Sequence, residues 1–484
     1  MAKENRAIVP MWYLPAPHQQ EAHYEYSWRR AKRYYVFVST EAAFRHEGIS
    51  HGPPFSEGGK VRRRRWTVRG AVFGAILMAV EPSRHLKDRF THVRQCLVEM
   101  FPKDRRPGRS YQGFVRARSR ISAARRGRLK DHLRIGHRRV AGRWVRRRGW
   151  EAFAVDGSRI EVPRTVANEG AFGCAGRHKT GPQLSVTTLY HMGSGLPWDW
   201  RIGPGPEPER DHLLSMLDSI PAAALLVADI GFTGYRLFQR LIEQEVSFLI
   251  RVGRNVSLLT DLGLEVQREG NIVWLWPLGH RDQAPIKLRL IRVTRSVRGP
   301  QRSKQSKGPK RRRSAAPKAD IYLVTNVFDE TRLSDETAAA LYRMRWGVEV
   351  FYRSFKRTLD QHKMRSAAPR QAREELDWAL IGYLLLGLMS VQALVHKGLD
   401  PLALSVAEAL RTVRYALRTS RLWRRRGDLR VLLSEAVKDS YLRPRPKSAR
   451  DWPHKKHDPP PATPNIRKAT FAEIHAAKRT YHAA

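Results

Sequence analysis

The spacing of apolar residues changes character near residue 150. From 61 to 148 they recur mainly at helical intervals, with a break at PKDRRPGRS (102–110), whereas from 151 onward the chain runs in short β-rich segments bounded by turn residues. Those segments are EAFAVDGSRIEV, PQLSVTTLYHM, AALLVADI, EVSFLIRV, NIVWLWPL, IKLRLIRV and DIYLVTNVF. Before the third of them, PGPEPERDHLL and SMLDSI show helical spacing after a Pro-rich turn, and YRLFQRLIEQ at 235–244 supplies another helix. The pattern predicts a mixed α/β unit over 151–395, with Trp274 and Trp276 alternating onto one strand face as core or insertion packing, a base-contacting aromatic being the alternative.

A long helix is predicted over about 335–360. Ser334 is placed to cap it, Asp335 and Glu336 occupy its first turn, and Leu341, Met344, Val348, Phe351, Phe355 and Leu359 form its buried face. A core helix covers about 370–395, followed by a helical region over 396–440. Residues 1–60 read as an irregular extension, 61–150 as a helical basic region, and 441–484 as a basic, Pro-rich tail. The most apolar stretch, ALIGYLLLGLMSV at 379–391, is shorter than the ~18 residues that call for a membrane span, so no membrane partner is expected.

Charge narrows the function. The 484 residues carry 90 Lys and Arg against 45 Asp and Glu, a formal +45 that folding does not require and that points to a polyanionic partner. With 42% hydrophobic residues the chain can still build a core, which excludes a wholly disordered basic protein. Residues 111–150 hold 14 Lys or Arg against Asp131 alone, and 295–318 hold 10 in a Gly, Pro and Ser background, read as a flexible basic loop. Two cysteines, Cys96 and Cys174, do not make a disulfide framework, and MAKENRAIVP lacks the apolar core of a secretory signal. A reducing, cytoplasmic setting beside the nucleoid is expected.

Three acids occupy positions where a rigid element can present them: Asp156 after AFAV, Asp229 after AALLVA, and Glu349 within the long helix. Carboxylates brought together repel unless cations lie between them, and such oxygen ligands suit Mg²⁺ or, alternatively, Mn²⁺. Tyr342, Arg345, Glu349 and Lys356 stand at offsets 0, 3, 7 and 14, which places them within an arc of roughly 60° on one helix. That stripe offers a phenol, two cations and an acid to a DNA strand. Its bland alternative is a helix stabilised by the Arg345–Glu349 pair.

At these residues the chain resembles the DD(E/D) transposases of the insertion-sequence 4 type. YRMRWGVEVFYRSFK at 342–356 matches their Y-x2-R-x3-E-x6-K motif in full. The resemblance covers about 95–395, with SYQGF at 110–114 included, and weakens toward both ends. It implies an RNase H-like catalytic domain with flanking helices and a β-rich insertion at about 245–330. It also implies that Asp156, Asp229 and Glu349 are the catalytic, metal-holding acids. Ile230 departs from the basic or polar residue common after the second acid, while Phe232 fits the usual aromatic position.

By the same resemblance the expected reaction is divalent-metal-dependent hydrolysis at transposon ends, followed by attack of the freed 3′-OH on target DNA. A homodimer in a synaptic complex is the implied assembly. Tyr342, Arg345 and Lys356 are the expected DNA contacts. Arg177, His178 and Lys179 in GRHKTG either position DNA or form a basic surface loop. A DNA nuclease without strand transfer and a nonenzymatic nucleic-acid-binding protein are the alternatives.

Overall fold

A computed structural model describes residues 65–102, 105–174, 181–264, 271–294, 320–418, 429–439 and 463–482. The extension at 1–60, the trio Arg177, His178 and Lys179, and the basic loop at 295–318 lie outside the described residues.

The helical region opens with α1 (Val68–Val80), α2 (Leu86–Met100), α3 (Tyr111–Arg118) and α4 (Ala123–Ala141). Side-chain oxygens of Thr67, Ser110 and Ser122 cap α1, α3 and α4 by accepting a backbone N–H from the first turn. α1 is buried over most of its surface because it packs between α2, α3 and a later core helix. The predicted break at 102–110 separates α2 from α3.

The α/β part begins with β1 (Ala152–Glu161), α5 (Val166–Phe172), β2 (Gln183–His191), β3 (Leu196–Pro204), α6 (Glu209–Leu214), β4 (Leu225–Ala228), α7 (Tyr235–Glu243) and β5 (Ser247–Val252). These five strands lie in the order β3-β2-β1-β4-β5, with β2 antiparallel to its two neighbours and β1, β4 and β5 mutually parallel. That is an RNase H-like sheet. Along β1 the alternation of side chains divides two cores: Ala152 and Ala154 join the helical core, whereas Phe153 and Val155 join the one beneath α6 and α7.

The sheet then continues through β6 (Ser257–Thr260), β7 (Ile272–Leu275), β8 (Ile286–Val293) and β9 (Ile321–Thr325), the last pairing antiparallel with both β8 and β5. The expected insertion at about 245–330 is corrected at its start. Ser247–Val252 pairs in parallel with β4 and belongs to the central sheet, and the remainder extends that sheet. Trp274 and Trp276 are buried as predicted.

The predicted 335–360 helix is divided into α8 (Asp335–Met344) and α9 (Gly347–Arg353), which runs into a π turn at Ser354–Thr358. Then follow α10 (Pro369–His396), α11 (Val406–Arg418) and α12 (Leu429–Ser434). By length and composition α10 could cross a membrane, but 83% of its most apolar window is buried within the protein, where it packs on α1, α4 and α12. The expected tail at 441–484 is corrected at its end: β10 (Asn465–Lys468) pairs in parallel with β6, and α13 (Phe471–His482) follows. Glu473 anchors this segment by accepting from Arg281, Arg467 and the Thr470 backbone, and Ala477 is buried in the second core. Composition hid this element because its contacts are with residues about 200 positions earlier.

Candidate active site

Strand alternation directs Asp156 of β1 to the face covered by α9. Its carboxylate accepts a 2.9 Å hydrogen bond from the Gly157 amide. Asp229 follows the last residue of β4 and caps the short turn Ile230–Phe232, accepting from the Ile230 amide at 2.8 Å. Glu349 lies in the first turn of α9. Three elements separated by 73 and 120 residues in sequence thus converge at one end of the parallel strands.

Arg345 joins them. Its side chain is 8% exposed, and one terminal nitrogen, Nη2, lies 3.4 Å from Asp229 Oδ2 and 3.3 Å from Glu349 Oε1. The Tyr342 hydroxyl donates to Asp229 Oδ1 at 3.1 Å. Burial first, and the charge of Asp229 second, push that phenol up to about 12. Burial is also the main cause that raises the carboxyl groups of Asp156 and Glu349 above their usual range, with Arg345 opposing it and neighbouring carboxylates adding to it. The carboxylates therefore feel one another, and the Arg345 guanidinium lies between Asp229 and Glu349.

The bend between α8 and α9 has a steric cause. A Cβ on Gly347 would lie 2.8 Å from Cε1 of Tyr190, so glycine lets the helix pass directly over that ring. Around it the Trp346 and Val348 amides bond three residues back instead of four, which tightens the turn that carries Arg345 and Glu349.

The structure gathers Asp156, Asp229, Glu349, Tyr342 and Arg345 and leaves Lys356 apart. Lys356 lies in the π turn, where burial lowers its ammonium and Glu161 at the end of β1 is its opposing charge. A uniform helical wheel therefore overstates the stripe: the π turn changes the register before Lys356.

Three further residues were not singled out by sequence. Arg251 of β5 places Nη1 3.8 Å from Asp229 Oδ1 and supplies the cation that Ile230 does not. Tyr352 of α9 reaches back to β1. Glu209, at the start of α6, presses its carboxyl group against Gly157 from the opposite face of β1, in space that a Cβ would fill. Burial and the charge of Asp156 raise the Glu209 carboxyl. The β alternation was the available signal for Arg251; Glu209 and Tyr352 carried none.

The donor chemistry fits a hard divalent ion, since the set consists of carboxylate oxygens, and burial with neighbouring carboxylates raises two of them, Asp156 and Glu349. Among the described residues, no three His, Cys, Asp or Glu side chains stand close enough to share one ion, and Arg345 occupies the space between two of the acids.

Residues 147–385 match the family described as "Transposase DDE domain". The chain is 28% identical over 173 residues to "Probable transposase for insertion sequence element IS5377" from Geobacillus stearothermophilus, a match covering 34% of this chain and 39% of that protein. It thus spans about two fifths of that relative's length. Among solved structures it is similar to a chain of the "piggyBac transposase synaptic complex with hairpin DNA", at 13% identity and a TM-score of 0.39, covering 82% of this chain and 81% of that one.

Proposed function

Because residues 147–385 form a transposase DDE domain, we propose that this chain is a DNA transposase that hydrolyses phosphodiesters at transposon ends and then joins the freed 3′-OH to target DNA. The observation that carries this reading is the convergence of Asp156, Asp229 and Glu349 around Arg345. The complete Y-x2-R-x3-E-x6-K motif at 342–356 supports the insertion-sequence 4 type.

Asp156, Asp229 and Glu349 are the residues that would hold Mg²⁺ or Mn²⁺. Such ions, when bound, activate an attacking water or hydroxyl and stabilise the leaving oxygen of a phosphodiester. Arg345 balances the charge of the acids while the site is free of DNA and offers its fork to a phosphate when DNA arrives. Tyr342 orients the Asp229 carboxylate through its hydrogen bond. Lys356, and Arg177 and Lys179 in the GRHKTG segment, contact the DNA backbone. Two protomers pair two transposon ends, and the work is done on chromosomal DNA in the cytoplasm.

The test is an assay with labelled transposon-end DNA, a target duplex and Mg²⁺. Cleaved and joined products are expected from the native chain, with both lost in Asp156→Asn, Asp229→Asn and Glu349→Gln while DNA binding persists. Cleavage without joining would make the protein a nuclease, and cleavage that survives these substitutions would remove the three acids from the mechanism.

A further inference from the structure

The basic helix α4 divides its charge between two faces. Arg126, Lys130, Arg134 and Arg138 recur every fourth residue, and each is paired with an acid. Arg126 Nε is 2.7 Å from Asp377, Lys130 is 2.8 Å and Arg134 3.0 Å from Asp199, and Arg138 makes a two-bonded pair with Glu151. Asp199 is only 2% exposed, so this stripe is part of the seam that fixes α4 to the α/β domain. Each of those cations already has an acidic partner.

On the other side of the same helix lie Arg128, His132, Ile135 and Arg139. At about 100° per residue they fall within an arc of roughly 60°, centred about 150° from the paired stripe. Arg128 and Arg139 are exposed and, among the described residues, have no hydrogen-bond or ion-pair partner, and Ile135 between them is 60% exposed. Among the described residues, acids pair one face of α4, and none pairs Arg128 or Arg139 on the other.

We propose that this outer face, Arg128–His132–Ile135–Arg139, is a docking surface for duplex DNA, with the two arginines on backbone phosphates and Ile135 against the sugar edge. The proposal rests on the reading of the protein as a DNA transposase and assigns a second contact outside the carboxylate site. Charge complementarity selects the occupant: a second copy would bring a like-charged face, whereas a duplex offers a row of phosphates to a helix whose free arginines lie about 16 Å apart along its axis. It also revises the meaning of the 14 basic residues at 111–150, since four of them serve the internal seam.

The experiment is fluorescence anisotropy of a labelled duplex with the full chain, without divalent ions, over a series of salt concentrations. For Arg128→Gln/Arg139→Gln, the slope of log affinity against log salt is expected to fall by about 1.8, from ~0.9 per lost phosphate contact, with affinity reduced and the unfolding midpoint unchanged. Arg128→Lys/Arg139→Lys should retain the slope because it keeps both charges. A Gln variant with native affinity and slope would overturn the surface alone; a native chain that binds no duplex would overturn the transposase reading itself. If Ile135→Ser dissociates a dimer and leaves duplex binding intact, the face is a self-contact and the proposal fails.

Discussion

The hydroxyl of Tyr352 lies 3.0 Å from the backbone carbonyl oxygen of Asp156, linking the helix of the third acid to the strand position of the first. The same hydroxyl is 3.0 Å from the Val186 carbonyl and from Thr188 Oγ1, so one buried phenol ties α9 to both β1 and β2. Tyr352 stands one turn beyond Glu349, and its anchoring fixes the position from which Glu349 faces Asp156. Replacing it by Phe keeps the packing and deletes the tether. Tyr352→Phe should cost about 1 kcal/mol of stability, the ordinary worth of a buried hydrogen bond. It should also slow cleavage while leaving DNA affinity intact, and equal cleavage rates for variant and native chain would show that the tether does not set the site.

Gly347 admits a test by addition. Gly347→Ala places a methyl group 2.8 Å from the Tyr190 ring, which is itself buried, so the helix must lift. The expected loss is ~1–3 kcal/mol by denaturant titration, typical of an overfilled core. Cleavage should fall with it, and adding Tyr190→Leu should recover part of the stability. Native stability in Gly347→Ala would mean that the bend has another cause.

Arg345 and a divalent ion should act as alternatives between Asp229 and Glu349. Arg345→Gln removes the cation that lies within 3.4 Å of both. Without added metal, its unfolding midpoint should fall below that of the native chain, and the rise on adding Mg²⁺ should be larger, because binding to the folded state stabilises by mass action. Arg345→Lys should not restore the native behaviour, since a point charge cannot bridge as the fork does. An identical Mg²⁺ response in Arg345→Gln and native protein would refute the competition.

Neutralising Asp156 should stabilise the fold. Its carboxyl is raised chiefly by burial, so the ionised form carries a cost that is present above the folded pKa and relieved as pH falls through it. Asp156→Asn keeps an acceptor for the Gly157 amide and removes the charge. Its unfolding midpoint in metal-free buffer at neutral pH is expected to rise while cleavage is lost. A lower midpoint would place the stability cost elsewhere.

A buried histidine pair makes the junction of α4 with the β2–β3 turn sensitive to acid. His137 and His191 both lie against Ser194, with His191 Nδ1 2.9 Å from its hydroxyl, and both are fully buried. Burial lowers His137 well below the usual imidazole range and His191 to about 3, the latter helped by Arg138 and Arg147. The unfolded chain takes up both protons near pH 6.5 and the folded chain does not, so stability should fall as pH drops from ~6.5 toward ~3. Two such groups contribute up to about 2.7 kcal/mol per pH unit. Urea denaturation at pH 7, 6, 5 and 4 should show a shallower pH dependence in His137→Phe than in the native chain; parallel curves would exclude the pair.

The seven β-rich runs were legible because strand alternation and turn residues are local signals, and all seven form strands within the predicted limits. Two are only four residues long, β7 and β4, the latter leaving Asp229 just past its end. β3, β6 and β10 were not read. In LPWDWRIGP, Leu196, Trp198, Trp200 and Ile202 do alternate with Pro197, Asp199 and Arg201, but Pro197, Gly203 and Pro204 gave it the look of a turn, and the other two are four residues long. The carboxylate positions on β1, after β4 and within the long helix were visible from sequence. Lys356 was placed with them only because a uniform helix was assumed.

Sequence alone determined the chemistry: three acids on rigid elements, a motif of fixed spacing, and an excess of positive charge, all of which follow from residue type and local periodicity. Tertiary structure decided which charges are free. Arg345 and the Arg126–Arg138 stripe carry the same formal charge as Arg128 and Arg139, and only the acids folded against them show that the first group is paired internally. Pairing depends on side chains that meet across hundreds of residues, and no local pattern records it.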